Sequence, residues 1–214
     1  MRHHRFHVLL IMNALFMGLN EGNSQDIQTV QIGSQVWMKE NLDTDRFRNG
    51  DPIEQVRTDR GWNQASIGQA PATCTYLNTD KNGKQYGRLY NWYAVSDPRG
   101  LCPAGWRVPT DIDWRDLKAH LGGKKKAGGK IKSLTGWNQP NEKATNLSGF
   151  TALPGGSRDY FGEFDLEGSE AVWWSSTEHN HVLAWARLVH TNGGRLNKVS
   201  SAKGTGNSVR CIKE

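Results

Sequence analysis

Apolar and polar residues alternate along residues 29–38 (TVQIGSQVWM) on both sides of Gly33-Ser34, a period of two that predicts a β-hairpin closed by a two-residue type II′ turn. The same reading over 171–176 (AVWWSS), 182–189 (VLAWARLV), 195–199 (RLNKV) and 208–212 (SVRCI) predicts four strands toward the C-terminus, with Asn192-Gly193-Gly194 turning the middle two into a hairpin. One segment has the other period. Trp114, Leu117 and Leu121 recur at helical spacing behind Thr110 and Asp113, a capping box with Asp in place of the commoner Glu, and Gly122-Gly123 stops the helix at about residue 121. Trp106 and Val108 alternate just before Pro109, as a short strand leading into that helix. Residues 86–95 (YGRLYNWYAV) read as buried helix or strand, and the remainder of 39–101, punctuated by Gly50-Asp51, Gly61-Trp62, Ala70-Pro71, Asn82-Gly83 and Asp97-Pro98, reads as irregular. The order of strands, one or two helices, then strands predicts an α+β domain with a mixed or antiparallel sheet and long loops. No repeat or linker divides the chain, so residues 25–214 are read as one compact domain.

The N-terminus departs from this pattern. Residues 6–19 (FHVLLIMNALFMGL) are apolar except at His7 and Asn13, follow a basic head of Arg2, His3, His4 and Arg5, and precede the small residues of Gly22-Asn23-Ser24. That is the form of a secretory signal peptide, residues 1–24, with cleavage after Ser24. The stretch is shorter than the roughly 20 residues that span a bilayer, so no transmembrane segment is expected. The remaining chain is expected to be secreted, or to lie at the cell surface or in the periplasm.

Composition fits a folded, loop-rich chain: hydrophobic residues make up 36% and charged ones 22%, and 24 Gly with 9 Trp imply many turns and heavy aromatic packing. The net charge of +6 changes little if residues 1–24 are removed, since Arg2, Arg5 and Glu21 leave together. Its densest cationic run, Lys124-Lys125-Lys126 followed by Lys130 and Lys132, lies among glycines with no interleaved aromatics, which reads as a solvated loop and argues against a nucleic-acid partner. In an oxidising compartment the three cysteines, none in CxxC spacing, read as one disulfide and one spare thiol. Cys102–Cys211 is favoured because it would join the middle of the chain to its end, leaving Cys74 as a buried thiol.

Chemistry-bearing motifs are sparse. There is no G-x-S-x-G, H-E-x-x-H, P-loop or G-x-G-x-x-G after a strand. Glu178, His179 and His181 would suit a metal on one strand face, yet they fall where a polar loop explains them. Asp111, Asp113 and Asp116 would suit calcium or acid–base work, yet the first turn of a helix attracts carboxylates through its dipole and caps. Trp37, Trp92, Trp106, Trp114, Trp173 and Trp185 read as core; Trp62 and Trp137, each after Gly in a loop context, are the candidates for exposure and for stacking on a sugar ring. Asn146-Leu147-Ser148 matches the N-glycosylation sequon by pattern only.

Six separate stretches, 30–42 (VQIGSQVWMKENL), 86–95 (YGRLYNWYAV), 101–114 (LCPAGWRVPTDIDW), 149–159 (GFTALPGGSRD), 173–177 (WWSST) and 208–212 (SVRCI), together resemble the Fibrobacter succinogenes major paralogous domain over nearly all of the chain after residue 29. The resemblance implies an exported domain of Gram-negative-type bacteria and brings no reaction with it. By analogy it also implies the superfold of C-type lectins and the formylglycine-generating enzyme, in which Cys102 and Cys211 would suit a structural bridge. Gln139-Pro140-Asn141-Glu142 is similar to the calcium and sugar motif of C-type lectins, so calcium enters as a candidate cofactor, although the partner motif on a following strand is replaced by WWSST. Arg158, Asp159, Trp174 and Ser176, from the two words that adjoin loops, would form the rim of any pocket. The expected function is a non-enzymatic exported binding or surface module whose partner is a glycan or another surface polymer. Alternatives are an enzyme of the formylglycine-generating type or an unrecognised hydrolase, and a purely structural envelope protein.

Overall fold

Both N-terminal strands form where the alternation puts them. In the computed structural model, which describes residues 27–214, β1 (Thr29–Ile32) pairs antiparallel with β2 (Gln35–Met38), and Gly33 takes φ 62° in the turn between them. The expected signal peptide, residues 1–24, lies outside the described residues.

The stretch from 39 to 101 is more regular than its punctuation implies. It holds β3 (Glu54–Gln55), α1 (Asp59–Ile67), β4 (Ala72–Thr75), α2 (Asp80–Tyr86), β5 (Arg88–Tyr90) and α3 (Trp92–Val95). Helix α1 starts at Thr58, whose side chain accepts from the Gly61 backbone N–H, and it buries only Trp62 and Ala65. Two buried positions in nine residues are too few for an apolar stripe to declare a helix. Residues 86–95 satisfy both readings, as strand β5 followed by helix α3.

Strand β6 (Trp106–Arg107) leads into α4 (Asp111–His120), which has the expected capping box: Thr110 and Asp113 bond each other's backbone N–H groups. The lysine run is not a loop but the start of α5 (Lys124–Ile131), whose Ala127, Gly128, Gly129 and Ile131 are buried. The described residues thus contain five α-helices where one or two were expected. After them come β7 (Gly155–Arg158), β8 (Phe164–Glu167), β9 (Glu170–Glu178), β10 (Leu183–His190), β11 (Asn197–Ala202), β12 (Asn207–Ser208) and β13 (Ile212–Lys213).

The architecture is mixed α/β, strand-rich, with two sheets. Four strands run in the order β1-β2-β13-β6, and the larger sheet runs β11-β10-β9-β12-β5-β4-β3 with the β7–β8 hairpin attached beside β9. Expected strand 208–212 is split between them: Ser208 pairs with Trp173 and Leu89 in the large sheet, and Ile212 pairs with Trp37 and Arg107 in the small one. The last strand therefore closes against the first hairpin.

Strand β9 is central in its sheet, between β10 and β12, and is buried on both faces from Ala171 to Ser175; because successive side chains point to opposite faces, its two adjacent tryptophans enter two different cores. Trp173 meets Trp114 and Phe150, and these two meet each other and Trp37, at 4.8–6.1 Å between ring centroids. Trp174 joins Trp92, Trp106 and Tyr90 around the disulfide between Cys102 and Cys211. Trp185 is the exception among the tryptophans read as core, being half-buried between His179, 4.1 Å from it, and the Lys198 ammonium, 3.7 Å above its ring.

Candidate functional site

Five of the six expected site residues turn out to be framework, and the physical reason is legible in each. Trp62 is only 1% exposed: it is on α1 rather than in a loop, and its indole N–H donates to the Gly204 carbonyl at 2.9 Å. Trp137, 5% exposed, belongs to the core around Trp114 and donates to the Ala152 carbonyl at 3.0 Å. Neither is available for stacking on a ligand. Arg158 is fully buried, with its guanidinium over the rings of Trp62 and Phe164 at 4.8 and 4.6 Å and donating to the Gly162 carbonyl, the Val56 carbonyl and Asp59. Trp174 is buried and donates to the Tyr90 carbonyl at 2.7 Å. Ser176 ties the end of β9 to the start of α4, its backbone N–H donating to the Pro109 carbonyl at 2.9 Å. Trp62 and Arg158 are brought together, but inside the protein; Trp137 is in a different core.

Asp159 leads to the surface. Its Oδ1 accepts from the backbone N–H groups of Phe161, Gly162 and Glu163 at 2.8–2.9 Å, which shapes the turn between β7 and β8. Gly162 is required in that turn: its φ is 111°, and a Cβ there would stand 2.4 Å from Asp59 Cα. The turn presents Tyr160 and Phe161, 42% and 57% exposed, with rings 4.2 Å apart.

Beside Tyr160 lies an open depression of about 450 Å³, with Gln69 after α1, Tyr93 from α3, Glu178 at the end of β9, His181 after it, and Lys203 after β11 on its walls. Lys203 is mostly buried; its ammonium lies over the Trp92 ring, 4.7 Å from the centroid, and bonds Glu178 and the His181 carbonyl. The floor is Gly204, whose carbonyl is held by Trp62. Two phenols, a carboxylate, an imidazole and an amide thus face one concavity, a mixture that suits hydroxyl-rich ligands. Sequence patterning missed Tyr93 and Tyr160. Tyr160 follows directly on the Arg158-Asp159 word, so the turn was the only available signal.

The other candidate chemistry is committed elsewhere. Burial pushes the Cys74 thiol up to about 11, against the pull of the neighbouring Arg158. Asp113 serves the capping box and receives both Arg107 nitrogens at 2.6 and 2.9 Å, while Asp111 holds Arg187 and Lys198. His179 stacks on Trp185 and His181 faces the depression, and among the described residues no three His, Cys, Asp or Glu side chains are grouped as metal ligands. The lectin-like word Gln139-Pro140-Asn141-Glu142 contains a cis peptide before Pro140. Its surroundings hold a cation already: the ammonium of buried Lys132 takes the carbonyl oxygens of Glu142, Thr191 and His190 at 2.6, 2.9 and 3.3 Å. Asn141 spends its amide on the Ser133 carbonyl at 2.9 Å.

A family model, the Fibrobacter succinogenes major domain, matches residues 30–213. The chain belongs to this family. All six stretches that carry the resemblance fall within or at the edge of the matched segment, and the tryptophans, the disulfide and Arg158 make them the framework of a Fibrobacter succinogenes major domain rather than its surface. No curated protein matches the chain, and neither does any solved structure. No helix among the described residues is long and apolar enough to cross a membrane.

Proposed function

We propose that this Fibrobacter succinogenes major domain is an exported, non-enzymatic binding module that takes a carbohydrate in the depression beside Tyr160. The observation that carries the reading is the pairing of the exposed Tyr160, its ring set against Phe161, with Tyr93, Glu178 and His181 around one open concavity. Aromatic faces cover the apolar face of a sugar ring while carboxylate, imidazole and amide bond its hydroxyls. The buried Arg158 and Trp62, with the turn shaped by Asp159, hold the platform in place before any ligand arrives, which limits the ordering cost of binding. A C-type lectin-like arrangement is part of the proposal, supported by the closure of the last strand on the first hairpin and by the disulfide beside it. Chemistry of the formylglycine-generating type is disfavoured, since it needs a reactive thiol and the one free cysteine is buried with a raised pKa.

Glycan-array screening followed by calorimetry on the best hit tests this. Tyr160→Ala and Glu178→Gln should each weaken the interaction about tenfold, on the order of 1.4 kcal/mol, without lowering the melting temperature by more than a few degrees. Absence of binding to any glycan at millimolar concentration, or equal affinity in both variants, would discard the reading.

A further inference from the structure

Helix α5 begins against its own electrostatics. Lys124, Lys125 and Lys126 fill its first turn, no acidic residue is there, and the cap Gly123 makes no side-chain hydrogen bond. Cations at the positive end of a helix dipole are unfavourable, and three adjacent ones repel each other as well. In α4, by contrast, Asp111 and Asp113 occupy the first turn.

Further along α5 the packing adds to this charge instead of offsetting it. Gly128 and Gly129 are buried in the helix, and a Cβ on them would stand 2.3 Å from the Arg195 carbonyl oxygen and 2.2 Å from that of Lys143. Only glycine lets two separate loops lie directly on the helix at these points. Both loops are then bonded to it: Gly129 N–H donates to Gly194, Leu196 N–H to Lys124, and Thr145 N–H to Gly129, at 2.8–3.2 Å. This brings Lys143 and Arg195 to the same groove as Lys125, Lys126 and Lys130. The groove has a volume of about 640 Å³ and no Asp or Glu on its walls. None of these five cations is in an ion pair among the described residues, although Arg99, Arg107, Arg187, Lys198 and Lys203 all are.

We propose that this groove is a binding site for an acidic polysaccharide, a chain bearing carboxylate or sulfate groups, which supplies the missing counter-charge. Four of the five cations are lysines, compact point charges that donate to anionic oxygens from many directions, which suits a polymer with repeated anionic groups better than a single anion held in a fixed bidentate fork. Asn192 and Thr145 add polar side chains for sugar hydroxyls, and the walls carry no aromatic ring on which a nucleic-acid base would stack. The groove shares no lining residue with the depression beside Tyr160, so it stands or falls independently of that reading.

The test uses the full chain with polygalacturonate and heparin as probes, dextran as the neutral polymer, and a single-stranded oligonucleotide and anionic phospholipid vesicles as competing polyanions. Two variants remove exposed charges from different elements, Lys125→Gln/Lys126→Gln on the helix and Lys143→Gln/Arg195→Gln on the loops, and Lys81→Gln/Lys84→Gln on α2 is the control. Binding to at least one acidic polysaccharide, weakened tenfold or more by each groove variant and by raising salt from 50 to 500 mM, but not by the control, is the expected result. The helix variant should melt no lower than the parent, because it removes repelling charges, and the loop variant provides the same measurement if the helix variant fails to fold. The proposal is overturned by no binding to either acidic polysaccharide, by binding that the groove variants leave intact or the control weakens equally, or by tighter binding of the oligonucleotide or vesicles.

Discussion

The Lys132 ammonium donates to the Thr191 carbonyl across 2.9 Å from inside the protein, and its remaining protons go to the Glu142 and His190 carbonyls. Burial pushes this amine down to about 8, which still leaves it charged at neutral pH. The end of β10 and the loop at Glu142 are thus gathered on one internal cation. Lys132→Met keeps the length and removes the donor, so the carbonyls lose their partner in a place water does not reach. A loss of about 2–4 kcal/mol in urea unfolding is expected, and a change below about 0.5 kcal/mol would show that the carbonyls find other donors.

The disulfide Cys102–Cys211 spans 109 residues and lies in the core that holds Trp92, Trp106 and Trp174. Constraining so long a loop in the unfolded chain predicts that the double variant Cys102→Ala/Cys211→Ala loses about 2–5 kcal/mol. Reduction of the parent protein should lower its melting temperature in parallel. An unchanged melting curve in reductant would contradict it.

Asp111 is partly desolvated, which raises its pKa, but Arg187 and Lys198 more than offset this and leave the carboxyl below the usual carboxylate range. Asp113 behaves alike, with burial outweighed by Arg107 and Thr110. A carboxyl with a lowered native pKa contributes stability that is complete above its unfolded value, 3.8, and is lost as pH falls through the native value. Stability should therefore decline below about pH 4, and Asp111→Asn should flatten that decline while lowering stability at pH 7. Parallel pH profiles for variant and parent would refute the assignment.

Cys74 is buried and its thiol titrates near 11. Native protein should react with an aromatic disulfide reagent orders of magnitude more slowly than free thiol, and one thiol per chain should appear on denaturation without reductant. Rapid stoichiometric labelling of the native state would reopen thiol chemistry at this position.

Gly128 offers a sign reversal. Glycine to alanine inside a helix normally stabilises by about 1 kcal/mol. Here the new Cβ would meet the Arg195 carbonyl oxygen at 2.3 Å, so Gly128→Ala should destabilise instead, by more than about 1 kcal/mol. Stabilisation would mean that the loop shifts away without penalty.

Local chemistry alone determined the first hairpin, the capped helix α4 and the strands around Trp173 and Trp185, because periodicity and a capping box act within a few residues; cysteine count and chain position favoured Cys102–Cys211, and the tertiary structure decided it. Family membership was also legible, since six separated words each carry framework residues. Tertiary structure decided the rest. Whether Trp62 and Trp137 face water depends on which elements cover them, and α1 and α5 are secured by contacts with distant chain more than by their own apolar faces. The lysine run illustrates the reason most clearly. Its charges were visible along the chain, but Lys143 and Arg195 join it only because two buried glycines let separate loops lie on the helix, a proximity that no local pattern encodes.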